Sequence, residues 1–317
     1  MGRLRDDNTN TYTTTTVDLL VAASRPIPQP GRDFGNKKMT SIRDFTEDEG
    51  RAWKRAVAYN TARCSREAIL LLGPAGGGKS AYRKEFLESD QGSQFVDFDG
   101  DLMRDVHGQW QEEIAAKRGD HGEDPTRLFE AMKPVAAKFK EQMLAQAVAE
   151  GRSVMLPFTF STADSFERLQ CIADAGYSVA RVIVFLADFS CVRERIVQRG
   201  RQTGRQQTMG VEKYKACLKN IETVVSSLVG KRRGSSSRST ENSTASLVCR
   251  DGAQIMVRDT TDRVVSNAEH HDVLLNVSLS CQYSPEREAD AILAEIRRIF
   301  GRFQKSASDI EGKDDPF

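Results

Sequence analysis

The 317-residue sequence predicts an α/β fold of three layers, with helices packed around a mainly parallel, five-stranded sheet. Two observations carry this. Short apolar runs of strand length alternate with segments of helical periodicity from residue 66 to residue 258. A glycine-rich octad, Gly73-Pro-Ala-Gly-Gly-Gly-Lys-Ser80, stands where the first apolar run gives way to the first helical segment of this alternation. The length suits one large domain with tails and gives ample chain to bury a core.

Residues 1–45 are rich in Thr, Asn, Asp, Arg and Pro and read as a flexible tail. A helical pattern from Glu47 to Arg63 leads into the first strand. Strands are predicted at 68–72, 94–98, 153–158, 179–186 and 253–258, and helices near 80–88, 127–150, 162–175, 188–199 and 210–229. The longest helix sets Leu128, Met132, Val135, Phe139 and Met143 at helical spacing, and Pro134 either kinks it or marks a late start. Residues 231–246 are polar and of low complexity, an insertion before the last strand. From Pro285 to Phe303 apolar residues recur as on an amphipathic helix. The predicted domain therefore spans 46–305, with a polar tail at 306–317.

Charge and cysteine usage narrow the function. The formal net charge is +1, unlike the basic body of a protein that binds through many nucleic-acid phosphates. Six cysteines are scattered without a Cys-x-x-Cys pair, which points to a reducing interior rather than to zinc or disulfides. No segment reaches membrane-spanning length, and the apolar stretch at 17–23 is short and interrupted by Asp18. The expectation is a soluble cytoplasmic protein that does not engage a membrane.

The octad matches G-x-x-x-x-G-K-[ST], a loop that wraps nucleotide phosphates. Its residues Gly73, Ala75, Gly76, Gly77 and Gly78 let backbone N–H groups turn toward phosphate oxygens at a helix N-terminus. Lys79 reaches the β- and γ-phosphates of a nucleoside triphosphate, and the Ser80 hydroxyl holds Mg²⁺. After the second predicted strand comes Asp97-Phe-Asp-Gly-Asp-Leu-Met-Arg104. Carboxylates at the mouth of a phosphate site repel the ligand unless a metal intervenes or one accepts a proton from an attacking hydroxyl. Asp99 is the candidate metal ligand here.

The octad followed by Asp99-Gly-Asp101-Leu-Met-Arg104, a strand ending in Thr159, and the dense arginines from Arg193 to Arg205 resembles the zeta-toxin family of P-loop kinases. The similarity spans residues 66–265. It implies a P-loop kinase fold, ATP and Mg²⁺ as cofactors, Asp101 as catalytic base, and Arg104 and Thr159 as substrate contacts. Arg199 and Arg205 fall where such kinases keep a lid that neutralises charge on the transferred group. Where the family carries Glu in a Glu-x-Thr element, this chain has Pro157-Phe-Thr159, so the carboxylate that helps to grip a nucleotide sugar is missing. Members of the family act as toxins neutralised by a protein partner; nothing in this sequence encodes such an antitoxin-like partner.

The expected reaction is ATP- and Mg²⁺-dependent phosphoryl transfer to a hydroxyl of a small molecule or nucleotide sugar. Two alternatives stand beside it: a polynucleotide 5′-hydroxyl kinase, and an ATP-binding module without turnover. His270-His271 lie past the core with no partner spacing for a metal.

Overall fold

Residues 68–72, Ala-Ile-Leu-Leu-Leu, are apolar without interruption because both faces of their strand are covered. The computed structural model describes residues 41–90, 92–119, 125–162, 164–203, 209–230, 248–261, 272–279 and 285–311. The tail at 1–40, the insertion at 231–246, Arg205 and His270-His271 lie outside the described residues. The strands are β1 (Glu67–Leu72), β2 (Val96–Asp97), β3 (Val154–Phe158), β4 (Ser178–Leu186), β5 (Val248–Asp259) and β6 (Asp272–Leu279). They form one sheet in the order β2-β3-β1-β4-β5-β6, parallel throughout except for the antiparallel pair β5–β6.

Among the described residues the sheet therefore has six strands, where five were expected. Val273, Leu275, Val277 and Leu279 alternate in β6, and Leu275 and Val277 pack against the main core. That alternation was legible, but it falls outside the βα rhythm that revealed the other strands.

The helices are α1 (Glu47–Ala56), α2 (Lys79–Leu87), α3 (Gly100–Asp105), α4 (Gly108–Gly119), α5 (Pro125–Ala149), α6 (Asp164–Asp174), α7 (Phe189–Thr203), α8 (Val211–Gly230) and α9 (Pro285–Glu311). A capping box fixes the start of α1: Thr46 accepts from the Glu49 N–H, and Glu49 accepts from the Thr46 N–H. Pro134 sits inside α5 without ending it. The closing helix α9 runs to Glu311 with Ala307 buried, past the boundary expected at residue 305.

One face of the sheet packs Leu70, Leu72, Val182, Val184, Ile255 and Val257 against a large core shared with α1, α5, α8 and α9. The other face is thinner: Ile69, Leu71, Met155, Ile183 and Phe185 meet Phe86 and Tyr82 of α2. The unequal layers leave the C-terminal edge of β1 to β4, where loops collect ligand groups in open α/β sheets, lined by α2, α3, α7 and α8.

Candidate functional site

The octad leaves β1 at Gly73 and enters α2 at Lys79. A β-carbon at Gly73 would meet the Phe185 carbonyl oxygen at 2.6 Å, so no other residue fits against β4 there. Gly78 caps α2 with φ 95° and ψ 1°, a left-handed conformation that favours glycine and needs no side-chain cap. The loop thus presents a helix N-terminus, the backbone arrangement that binds anions. Lys79 Nζ donates to the carbonyls of Gly73 at 2.5 Å and Pro74 at 2.9 Å. Burial holds its ammonium below the usual lysine range, at about 8, and Arg199 lowers it further while Cys217 opposes. Ser80 follows, exposed on the first turn, and Ala75 is half-buried against the core.

Two residues that the motif did not name hold this loop from behind. The buried Thr260 hydroxyl contacts the Gly77 carbonyl at 3.1 Å and the Leu186 carbonyl at 3.0 Å. Arg195 of α7 donates to the Gly76 carbonyl at 3.3 Å, to Thr260 Oγ1 at 3.3 Å, and to the carbonyls of Thr260 and Thr261. The sequence showed the density of arginines, but only the fold separates Arg195, which serves the loop, from Arg199, which crosses to the acids.

The acidic segment begins where β2 stops after two residues. The Phe98 N–H still donates to the Met155 carbonyl at 3.1 Å. The next rung of a parallel ladder requires an N–H from residue 157, and Pro157 has none. The chain is released there, and Asp99 caps α3 by accepting the Asp101 N–H at 2.9 Å. Asp97, fully buried, accepts the Asp99 N–H at 3.1 Å and pairs with Arg83 Nε at 3.0 Å. Desolvation pushes the Asp97 carboxyl up to about 6 in spite of Arg83 and Lys140. Asp99 also pairs with Arg83, so both its oxygens are engaged, one by a cation and one by the helix cap.

Asp101 is the junction of the site. One carboxylate oxygen accepts from Arg104 and the other from Arg199, which reaches across from α7. Arg104 also rests over the Phe129 ring, 5.2 Å from its centroid. Thr159, past the end of β3, shares a hydrogen bond with Ser161 at 3.0 Å, and its carbonyl accepts from the buried Cys217 thiol at 2.5 Å. Cys217 belongs to one face of α8, from which Tyr214 also donates to the Ala187 carbonyl at 2.5 Å and Asn220 to the Phe160 carbonyl at 3.0 Å. Burial raises the Cys217 thiol to about 12, which keeps it a protonated donor.

The acidic segment is also braced from the N-terminal side. Arg43 makes a two-pronged contact with Glu49 at 2.7 and 2.6 Å, and Glu49 accepts the Gly108 N–H at 2.7 Å. His107, fully buried, bonds to the Arg43 carbonyl at 3.0 Å and lies under the edge of Phe45.

The structure thus brings Lys79, Asp99, Asp101, Arg104 and Arg199 into one cleft, with Thr159 tied to it through Cys217. The fold and this loop define a P-loop protein of kinase-like α/β architecture. Residues 69–224 match the family model described as "AAA domain". No curated protein matches the chain by sequence.

Solved structures with a similar arrangement include one from the PezAT chromosomal toxin–antitoxin system of Streptococcus pneumoniae. It is 16% identical, and the alignment covers 84% of this chain and 100% of that one at a TM-score of 0.48. AvrRxo1-ORF1:AvrRxo1-ORF2 with sulphate ions is 10% identical over 84% of this chain and 90% of that one, at a TM-score of 0.44. The AvrRxo1-ORF1:-ORF2 complex with ATP is 10% identical with the same coverage, at a TM-score of 0.43.

Proposed function

We propose that this protein is a kinase that transfers the γ-phosphoryl group of ATP to a hydroxyl of a small molecule or nucleotide sugar. The observation that supports it best is Asp101, held by guanidinium groups from two elements in the cleft that also contains Lys79. The loop binds the triphosphate through its backbone and Lys79, and Asp101 takes the proton of the acceptor hydroxyl as that oxygen attacks the γ-phosphorus. Arg199 lies between the two and neutralises charge on the transferred group. The Ser80 hydroxyl, on the exposed first turn of α2, would hold Mg²⁺, which would supply charge neutralisation to the phosphates. Asp99, read from the sequence as a metal ligand, instead serves as the anchor of Arg83 and the cap of α3. Arg104 orients Asp101, and Thr159 lines the acceptor side. In this reading Arg205 shares the charge-neutralising role of Arg199, the protein works in the cytoplasm, and any antitoxin-like partner is a separate chain.

Incubation with γ-labelled ATP and a metabolite extract tests this directly. Label should appear in a small molecule with wild-type protein and be lost with Asp101→Asn, while ATP affinity by calorimetry is retained. Release of inorganic phosphate alone, or label on polynucleotide ends, would replace the reading with a nucleotidase or with the polynucleotide alternative. ATP binding without any transfer would favour the inactive module.

A further inference from the structure

The phosphate loop places left-handed backbone on glycines, at Gly76 and Gly78, but the turn that ends β3 places it on Phe160. Phe160 is fully buried at φ 49°, a conformation that a bulky residue keeps only where its surroundings impose it. Packing accounts for the residue type: the ring centroid lies 5.1 Å from that of Phe158 and 4.9 Å from that of Phe166 on α6, within the main core. Glycine would relieve the backbone and forfeit these contacts. What holds the backbone is a row of three successive carbonyls, each with its own donor. Phe158 accepts the Gly73 N–H of the phosphate loop at 3.2 Å, Thr159 accepts the Cys217 thiol at 2.5 Å, and Phe160 accepts the Asn220 side-chain amide at 3.0 Å. Cys217 and Asn220 stand three residues apart on α8 and so face the turn together.

The bend brings two hydroxyls together. In an extended strand residues i and i+2 stand about 6.6 Å apart along the chain. With the chain turned at Phe160, the hydroxyls of Thr159 and Ser161 meet at 3.0 Å, both residues half-buried at the C-terminal end of β3, where ligands gather in open α/β sheets. We infer that Asn220 is a positioning residue of the site: by holding Phe160 in its left-handed conformation it fixes the Thr159 and Ser161 hydroxyl pair, and through that pair the place of the acceptor. That the pair meets the acceptor rests on the phosphoryl-transfer reading; that Asn220 holds the turn does not.

Hydrogen exchange and label transfer, both on the full chain, test the two parts. Asn220→Leu keeps the branched shape of the side chain and removes its donor. Amide exchange over residues 158–162 should quicken by about fivefold or more, while that of β4 and α7 stays within about twofold. No change, or an equal quickening throughout, overturns the role. With γ-labelled ATP and the metabolite extract titrated from dilute to saturating, the variant should need about fivefold more extract for half-maximal transfer, and its ATP affinity by calorimetry should stay within about twofold. In a Thr159→Val background the same substitution should add less than about twofold, because it acts through Thr159. An added loss as large as in the wild type marks general loosening and overturns the positioning role. Asn220→Gln, which keeps an amide donor on a longer arm, should recover part of both readouts. If Asn220→Leu does not fold, Asn220→Ser carries the same comparisons. Should the wild type label nothing in the extract, the kinase reading falls, and the exchange result alone then decides whether Asn220 holds the turn.

Discussion

The two halves of the cleft are built on opposite plans. The phosphate-loop side is eight consecutive residues, shaped by backbone conformation and held from behind by Thr260 and Arg195. The acidic side is assembled from side chains of α2, α3 and α7, joined by ion pairs through Asp97, Asp99 and Asp101. A contiguous loop depends on few side chains, whereas an ion-paired junction depends on each partner, because removing one leaves another charge exposed to desolvation.

Substitutions can break or sharpen that contrast. Lys79→Ala should have the largest effect, abolishing phosphoryl transfer and weakening ATP binding by about tenfold or more while the fold persists. Unchanged ATP affinity by calorimetry would remove the loop from the nucleotide site. Asp101→Asn should lower turnover by about two orders of magnitude and leave ATP affinity intact, placing its whole effect on the acceptor side. A greater loss with Asp99→Asn would exchange the roles of the two acids.

The third test uses acid. Glu49 is held down to about 2, first by its hydrogen bonds to Arg43, with the Thr46 and Gly108 N–H groups also lowering it against desolvation. Between about 2 and the ordinary value of 4.5 the unfolded chain binds the extra proton. The contribution of Glu49 is therefore complete above 4.5 and is lost as pH falls toward 2. Glu49→Gln should cost about 2 kcal/mol at pH 7 in denaturant melts, and the gap from wild type should close across that acid window. A gap that does not narrow would mean that packing, not charge, braces the acidic segment. The smallest effect belongs to Thr260→Val, which should cost about 1 kcal/mol of stability and reduce ATP affinity a few-fold without changing the acceptor dependence of the rate. An equal loss on both sides would show that the halves are not separable.

The same contrast explains what could be read in advance. The octad was legible because its chemistry is local in sequence, and β1, β3 and β4 were legible because burial on both faces makes them largely apolar. The helices α3 and α4 escaped notice: α3 is a single short turn after an Asp cap, and α4 carries only Trp110 and Ile114 as large apolar residues. Arg83 and Arg195 lie on different helices, and no spacing in the chain marks the first as the partner of the acids or the second as the support of the loop. The Cys217 contact with Thr159 joins residues 58 apart and was equally hidden. Pro157 was visible as a departure from the motif, but its effect on the β2 ladder emerges only when the strands are paired.

Arg195 and Arg199 stand four residues apart on α7, and the first grips the phosphate loop while the second grips Asp101. Four residues of helix, a rise of about 6 Å, are thus the gauge that sets how far the phosphate loop sits from Asp101. A gauge of this kind is rigid in length but unforgiving in phase. Adding a single residue between the two arginines would rotate Arg199 by about 100° away from the cleft and leave Arg195 in place, disconnecting the halves without disturbing either.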